Sequence, residues 1–581
     1  MKKAADIDRA EKTEEAAMNQ MDYQSLKNML YACADKIIRN ELYLAKIDGA
    51  IGDGDHGIGM KNGMIAVRKV LDQESDGSDI YALFSKTGQA MENTMGGASG
   101  MIFSSMFSGN AKNQPPASCL SPEMLYEHFR SGLESVQRIG HAKEGDKTMV
   151  DALAPAVRAM SEHMGSFEEL LKAAKKASLE GLEKTKEYVA KYGRAKNLGE
   201  RAKGHQDAGA TSVWLLFTAM ADFVTGNETP DPVIEKKEEA VRADVESKKK
   251  IINRPEDVVK EESEGFLYAY GKSIKAVPGV NGLVKKVIPE GKTALLVGGG
   301  SGHEPMFGFF IGENLADCAA NGNVFAAPHP ETICKVSEAA DRGAGVLFLY
   351  GNYTGDNLNF DKAAEILAAK GIQTKTVRVW DDIASAPAER ITDRRGIAGD
   401  VLMIKIAGAA CSELSLEEAF RVTEKARDNL YSIGIGLEGA TIPGQKEPIF
   451  TLPEDEMEYG LGIHGEPGIK RIKMQSADEI CTSLFSRIVE EGNLKKGDVI
   501  CTYVNGLGST TLMELMILNR KLAMLCEEAG LVVHDMDVNS LVTTMEMAGA
   551  SISVLKIDDE LKKYYDMPCS SPYYTKSRIS D

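Results

Sequence analysis

Three aspartates stand within eight residues of one another in IDGAIGDGDHGIGM (47–60): Asp48, Asp53 and Asp55, followed at once by His56. Carboxylates this close repel one another unless a cation lies among them, and the flanking glycines let the backbone fold so that all three converge. Mg²⁺ prefers oxygen ligands in octahedral geometry and shares its shell with nucleotide phosphates, so a Mg–nucleotide is the natural tenant. The EF-hand order of ligands and its terminal Glu are absent, which disfavours a calcium loop. The plain alternative is an acidic surface turn. Farther along, GGASG (96–100) offers backbone N–H groups at the opening of a helix, where phosphate binds readily. GDKTMVDAL (145–153) and GRAKNLGERAKGHQDAGATSVW (193–214) complete the set. In them Arg194 or Arg201 could neutralise phosphate, and Asp207 could accept hydrogen bonds from a ribose or base.

The second half carries a different constellation. LLVGGGSGHEP (295–305) follows a strand-like run and holds Gly300, Ser301, Gly302 and His303. It is not G-x-G-x-x-G, and no acidic ribose reader sits at the expected distance, which argues against a dinucleotide site. GNYTGDNLNF (351–360) also follows a strand and puts Asp356 at the strand's C-terminal end, where open α/β sheets place ligands. MEYGLGIHGEPGIKR (457–471) sets His464 between Gly-rich turns. Any one of the nine histidines has a structural role by default. Two histidines and an aspartate in three Gly-rich loops suit close approach to a small hydrophilic substrate.

The elements that must hold these loops differ between the halves. Up to about residue 225, segments such as 23–48, 167–193 and 212–224 carry apolar residues at three- and four-residue spacing, which predicts an all-helical domain with loops at the helix ends. Residues 226–256 are polar and dense in charge, the signature of a linker. From 257 to 572, TALLVGGG, GAGVLFLYG, TKTVRVW, VLMIKIAG, YSIGIGL and DVICTYVNG read as short buried strands. Helix-like stretches lie between them, which predicts an α/β domain of two subdomains with a break near 430. Residues 1–22 read as an extension and 573–581 as a tail.

The bulk numbers exclude several classes. A formal net charge of −18 opposes general affinity for nucleic acid or anionic membrane. No apolar run in the sequence approaches the ~20 residues of a bilayer span, and the charged start lacks the apolar core of a secretory signal. Nine scattered cysteines without a C-x-x-C pair fit reduced thiols in a cytoplasm.

In combination, DGAIGDGDHG, GGASG, GDKTM and GRAKNLGERAKGHQDAGATS resemble the nucleotide-binding L domain of dihydroxyacetone kinases over about residues 25–225. The three loops of the second half resemble that family's K domain over nearly all of 250–572. The resemblance implies an eight-helix antiparallel barrel that holds ATP through two Mg²⁺ ions, with Asp48, Asp53 and Asp55 as metal ligands. It places His56, Ala98, Ser99, Gly140, Met149, Arg194 and Asp207 around the nucleotide. It also implies that His464 attacks the ketone carbon and holds the substrate as a covalent hemiaminal, while His303 and Asp356 hold the terminal hydroxyl and assist its deprotonation. The reaction implied is phosphorylation of dihydroxyacetone (glycerone) by ATP, in a homodimer formed through K domains.

Two departures stand out. The family pattern has a lysine directly before NYTGD that contacts a substrate hydroxyl, and here that position is Gly351. A pocket for a four-carbon ketose, D- or L-erythrulose, is therefore the alternative to dihydroxyacetone. The order is also L then K, whereas familiar fused forms run K then L. A regulator that senses the ketose, and a lyase forming a cyclic flavin phosphate, are further readings. The first could lose the metal and substrate residues without penalty, yet all of them are present.

Overall fold

A computed structural model describes residues 20–52, 54, 56–74, 77–95, 97–232 and 250–577, with residues 97, 98, 194 and 197 described by their backbone alone. Of the expected metal ligands, Asp53 and Asp55 lie outside the described residues, as do residues 1–19, 233–249 and 578–581. The chain forms two compact units, residues 1–240 and 241–581.

The first unit is helical: α1 (Tyr23–Arg39), α2 (Glu41–Gly49), α3 (His56–Gln73), α4 (Ile80–Met95), α5 (Gly97–Ser108), α6 (Pro122–Gly140), α7 (Val150–Glu162), α8 (Phe167–Lys184) and α9 (Ala208–Thr225). A two-residue strand pair, β1 (Met21–Asp22) with β2 (Cys119–Leu120), closes its edge. Its helices start where the sequence supplies caps. Asp22, Ser121, Ser166 and Asp207 each accept a hydrogen bond from a backbone N–H of the first turn, and proline follows Ser121 at the position whose missing N–H costs nothing. The helix read as one run from 23 to 48 breaks at Asn40, whose Nδ2 bonds Lys36 O and Asp231 Oδ1. Helix α9 is long and apolar enough to cross a membrane by length and composition, but two-thirds of it is buried as the core helix of this unit.

The second unit contains two six-stranded mixed sheets. Its elements run α10 (Val258–Tyr270), β3 (Ile274–Ala276), β4 (Gly282–Lys285), β5 (Ala294–Ser301), β6 (Cys318–Val324), α11 (Pro330–Ala340), β7 (Val346–Gly351), α12 (Thr354–Ala369), β8 (Thr374–Val379), α13 (Asp400–Glu413), α14 (Leu416–Arg427) and β9 (Leu430–Glu438). They continue with β10 (Glu456–Tyr459), β11 (Lys470–Lys473), α15 (Ala477–Glu491), β12 (Val499–Gly506), α16 (Leu512–Glu528), β13 (Val532–Asn539), β14 (Ala548–Lys556), α17 (Asp559–Tyr565), β15 (Cys569–Ser570) and β16 (Thr575–Lys576). The first sheet has the order β3-β4-β6-β5-β7-β8, parallel from β6 to β8; the second, beginning at Leu430, has the order β11-β10-β9-β14-β12-β13.

Three expectations are corrected. VLMIKIAG (401–408) is not a strand but the middle of α13, in which every residue from Asp400 to Cys411 is buried. A helix buried on all sides loses the three-and-four rhythm, and its apolar run then reads like a central strand. Residues 573–577 are no tail: Tyr574 is buried with its hydroxyl on Asp537 (3.0 Å), and Lys576 pairs with Asp535 at 2.5 Å. The linker is shorter than 226–256, because Asp231 binds Lys36 (2.7 Å) in the helical unit and Lys250 binds Glu546 (2.7 Å) in the α/β unit.

Candidate active site

The α/β unit brings His303 and His464 into direct contact. His303 lies in the turn after β5, and His464 in the loop between β10 and β11. Their Nε2 atoms are 3.1 Å apart, with the rings edge to face at 4.8 Å between centroids. Both are buried, at 1% and 6% exposure. Their outer nitrogens are held as well: His303 Nδ1 is 2.7 Å from the carbonyl of Thr543, and His464 Nδ1 is 3.1 Å from Glu466 Oε1. Carbonyls and carboxylates only accept, so both Nδ1 atoms carry hydrogen. The two Nε2 lone pairs then face each other, and a 3.1 Å contact is attractive only with one proton between them. With a proton on either Nε2 the contact is a hydrogen bond, and Glu466 then stands as the counter-charge.

Glu466 is fixed in turn. Its Oε2 accepts the backbone N–H of His464 (3.0 Å) and lies 3.7 Å from Arg395 Nη1. Arg395 donates twice to Asp382 Oδ2, at 3.0 and 2.7 Å. Glycine at 462 permits this packing, since a Cβ there would collide with Glu466 Oε2 and Arg395 Nη1. Around the imidazoles stand the rings of Phe325 and Tyr353, the latter 4.6 Å from His464 edge to face. Asp356 sits in the first turn of α12, one turn beyond Tyr353, and is 9% exposed. Of the glycine-loop residues, Ser301 spends its hydroxyl on Gly322 O (2.9 Å), and Gly300 packs against the Phe325–Ala326 backbone.

The turn that carries His303 has its own support. Gly302 adopts φ +98°, a region that favours glycine, and its N–H donates to both carboxyl oxygens of Glu304 (2.9 and 3.0 Å). Glu304 shares a hydrogen bond with Glu262 of α10, and burial together with Glu304 pushes the Glu262 carboxyl up to about 8. The unfolded chain gives up this proton near 4.5 and the folded chain near 8, so this pair costs stability increasingly as pH rises across that interval. Glu262→Gln is accordingly expected to melt a few degrees above the wild type at pH 8 and level with it at pH 5, as scanning calorimetry would read. Equal melting at both values would sink the shared-proton assignment.

In the helical unit the predicted nucleotide residues gather at one end. His56 opens α3, its Nε2 lies 2.8 Å from Ser212 Oγ of α9, and its N–H meets Asp48 Oδ2 at 3.3 Å. Burial lowers the His56 pKa, so the ring is held neutral against Ser212 rather than charged. Asp207 caps α9 by accepting from Ala210 N (2.7 Å), and the bare Cα of Gly209 brings it beside Met149. The Asp207 carboxyl is pushed up to about 7, first by burial and then by the neighbouring Asp151 and Asp48. Ser99 lies in the first turn of α5, whose Phe103 ring is 5.9 Å from His56, and Gly140 ends α6 against Ile102 of α5. The side chains of Ala98 and Arg194 lie outside what is described. Asp48 and Asp151 thus lie close enough to act on Asp207, and carboxylate oxygens are what a hard cation takes. Among the described residues, no group of three or more ligands forms a finished metal site.

The family models settle the relationship. The Dak1 domain matches residues 264–573, more than half of the chain, and the DAK2 domain matches residues 50–222. The chain belongs to the dihydroxyacetone kinase family. Its DAK2 domain precedes its Dak1 domain. It is 39% identical over 329 residues to the dihydroxyacetone-binding subunit DhaK of a PTS-dependent dihydroxyacetone kinase from Listeria innocua, covering 56% of this chain and 99% of that one. It is also 39% identical over 336 residues to an L-erythrulose kinase from Pectobacterium atrosepticum, covering 57% of each. The chain thus matches little more than half the length of that kinase. Among solved structures, the dihydroxyacetone kinase of C. freundii in complex with AMP-PNP and Mg²⁺ gives a TM-score of 0.53 at 26% identity, covering 56% of this chain and 61% of that one.

Several residues at the site of this dihydroxyacetone kinase family member are not singled out by sequence patterns. Glu466 has a signal, since it lies two positions after His464 in the same Gly-rich loop. Thr543 has none, because it acts through its carbonyl from 240 residues away. Tyr353 lies inside the NYTGD segment, but nothing in the spacing says that its ring will meet His464.

Proposed function

We propose that the chain transfers the γ-phosphoryl group of ATP to a terminal hydroxyl of a short ketose held on His464. The observation that carries this reading is the His303–His464 contact, with Thr543 O and Glu466 fixing the outer nitrogens. His464 Nε2 has its lone pair available when the proton between the two rings is on His303. Attack on a ketone carbon forms the C–N bond and places negative charge on the ketone oxygen. His303 returns its proton to that oxygen, and Glu466 takes the Nδ1 proton of His464, which leaves a neutral adduct. Glycerol has no carbonyl and is refused at this step.

Asp356, or His303 once it has given up its proton, accepts the proton of the hydroxyl that attacks the phosphorus. In the helical unit Asp48, with Asp53 and Asp55, would hold Mg²⁺. That ion would spread the charge of the phosphate group, and its number per site belongs to the same proposal. His56, Ser99, Met149, Gly140 and Asp207, with Ala98 and Arg194, would line the nucleotide.

A four-carbon ketose is the second reading, favoured by glycine at 351 where the family pattern has a lysine. A Cβ there would lie 3.3 Å from Tyr353 Cε2 and 3.5 Å from both Asp400 Oδ2 and Gly396 Cα, so nothing larger than hydrogen projects. The test of both readings is ADP release from ATP and Mg²⁺ with dihydroxyacetone, D-erythrulose, L-erythrulose and glycerol. Turnover with ketoses and none with glycerol is expected, with an erythrulose preferred. At least tenfold higher kcat/KM for dihydroxyacetone would sink the four-carbon reading, and no ketose-dependent turnover would sink the kinase.

A further inference from the structure

Asp400 opens α13 at 3% exposure, and its Oδ1 is buried without a hydrogen-bond partner. Buried polar atoms almost always find a partner, so an orphan beside a binding site calls for a reason. Its Oδ2 faces the bare Cα of Gly351, and the same Cα faces the edge of Tyr353. Tyr353 is anchored through its hydroxyl on Gly396 O (2.9 Å), and its ring meets His464. Tyr353 thus touches both the imidazole and the Gly351 backbone that Asp400 Oδ2 faces, which links the carboxyl to the ketose site through one ring.

We propose that Asp400 is a specificity-determining residue of the ketose site, binding the hydroxyl that a four-carbon ketose carries and dihydroxyacetone lacks. This rests on the ketose-kinase reading above. Burial, with Asp381 and Asp356 close by, raises the Asp400 carboxyl well above the ordinary range, which favours the protonated form with both a donor and an acceptor. An alcohol also has one of each, and the two can satisfy one another. An anionic group would be repelled by the surrounding carboxylates, and a methyl would leave Oδ1 as it is. A site that hydrogen-bonds a substrate hydroxyl disfavours the analogue without it, because the protein's own polar atom is then stranded.

The test compares wild type with Asp400→Ala, Asp400→Leu and Asp400→Asn, measuring ketose binding by calorimetry and ADP release in parallel. Asp400→Ala is expected to weaken the preferred erythrulose about tenfold or more while dihydroxyacetone changes less than about threefold. Asp400→Asn, which keeps a donor and an acceptor, should stay within about threefold of wild type for both. Asp400→Leu, close to Asp in shape but with neither donor nor acceptor, covers the case in which alanine does not fold, with the same expected loss for erythrulose. Equal losses for both ketoses, or an unchanged ratio, would overturn the assignment. Binding that follows this pattern without any ADP release would sink the kinase reading alone, and no ketose binding by the wild type would sink both.

Discussion

His464→Ala is expected to lower ketose-dependent kcat/KM by at least ~10³-fold while the protein keeps its fold. Dihydroxyacetone has about six non-hydrogen atoms, and even very good small ligands gain no more than ~1.5 kcal/mol per atom. Six atoms thus cap the non-covalent binding at ~9 kcal/mol, and so few contacts leave the molecule free to turn in its site. A C–N bond fixes both position and orientation, and orientation is where a phosphoryl transfer gains most of its rate. Alanine removes that bond and leaves His303, Phe325 and Tyr353 around an open space. The ketone carbon can be followed directly with a ketose labelled there with ¹³C. In the wild type its carbonyl resonance should give way to that of a saturated carbon, and in the variant it should persist. Activity within tenfold of wild type, or a saturated carbon in the variant, would remove His464 from the proposed role.

The second large effect is expected at Glu466. Glutamine has nearly the same shape, and its fold-level consequences should be small, but it cannot take the proton from His464 Nδ1. Its amide can also turn its N–H toward that nitrogen. The hydrogen on the ring would then move to Nε2, where the nucleophilic lone pair is required. Glu466→Gln is expected to cost ~10²–10³-fold in kcat/KM, with the labelled ketone carbon largely unconverted. Loss of adduct separates this from a general weakening of nucleotide binding, which would leave the ¹³C signal as in wild type. A variant within about threefold of the wild-type rate would show that Glu466 only orients the ring.

Much of this architecture is legible in the amino-acid sequence. The helical texture of the first half and the alternating texture of the second follow from burial on one face, which leaves a period in the sequence. His303 and His464 are readable because each sits in a Gly-rich loop after a strand, where chemistry is commonly placed. What is not legible has physical reasons. Helix α13 is buried all round and so carries no amphipathic rhythm, which is why 401–408 reads as a strand. Asn40 ends α1 with its side chain on Lys36 O and precedes α2 without capping it, and a single polar residue in a long helical run gives no warning of that. The carbonyl of Thr543, like every backbone acceptor, is the same atom in every residue type. Nothing in the sequence pairs Glu262 with Glu304, which it meets through a side-chain hydrogen bond beside the turn that carries His303.

The end of the α/β unit has a consequence for the order in which the protein can be built. Strand β13 is the outer strand of the second sheet, and it carries Asp535 and Asp537 side by side on one face. Their partners are Tyr565, Tyr574 and Lys576, the second of these 37 positions farther along the chain. The same terminal segment reaches the first part of the unit, where Ser570 pairs with Glu313. On the ribosome this sheet margin must wait, with two carboxylates short of their partners, until some of the last described residues have emerged. A truncation before Cys569 would make that state permanent for Asp537, and would leave Asp535 with Tyr565 but without Lys576.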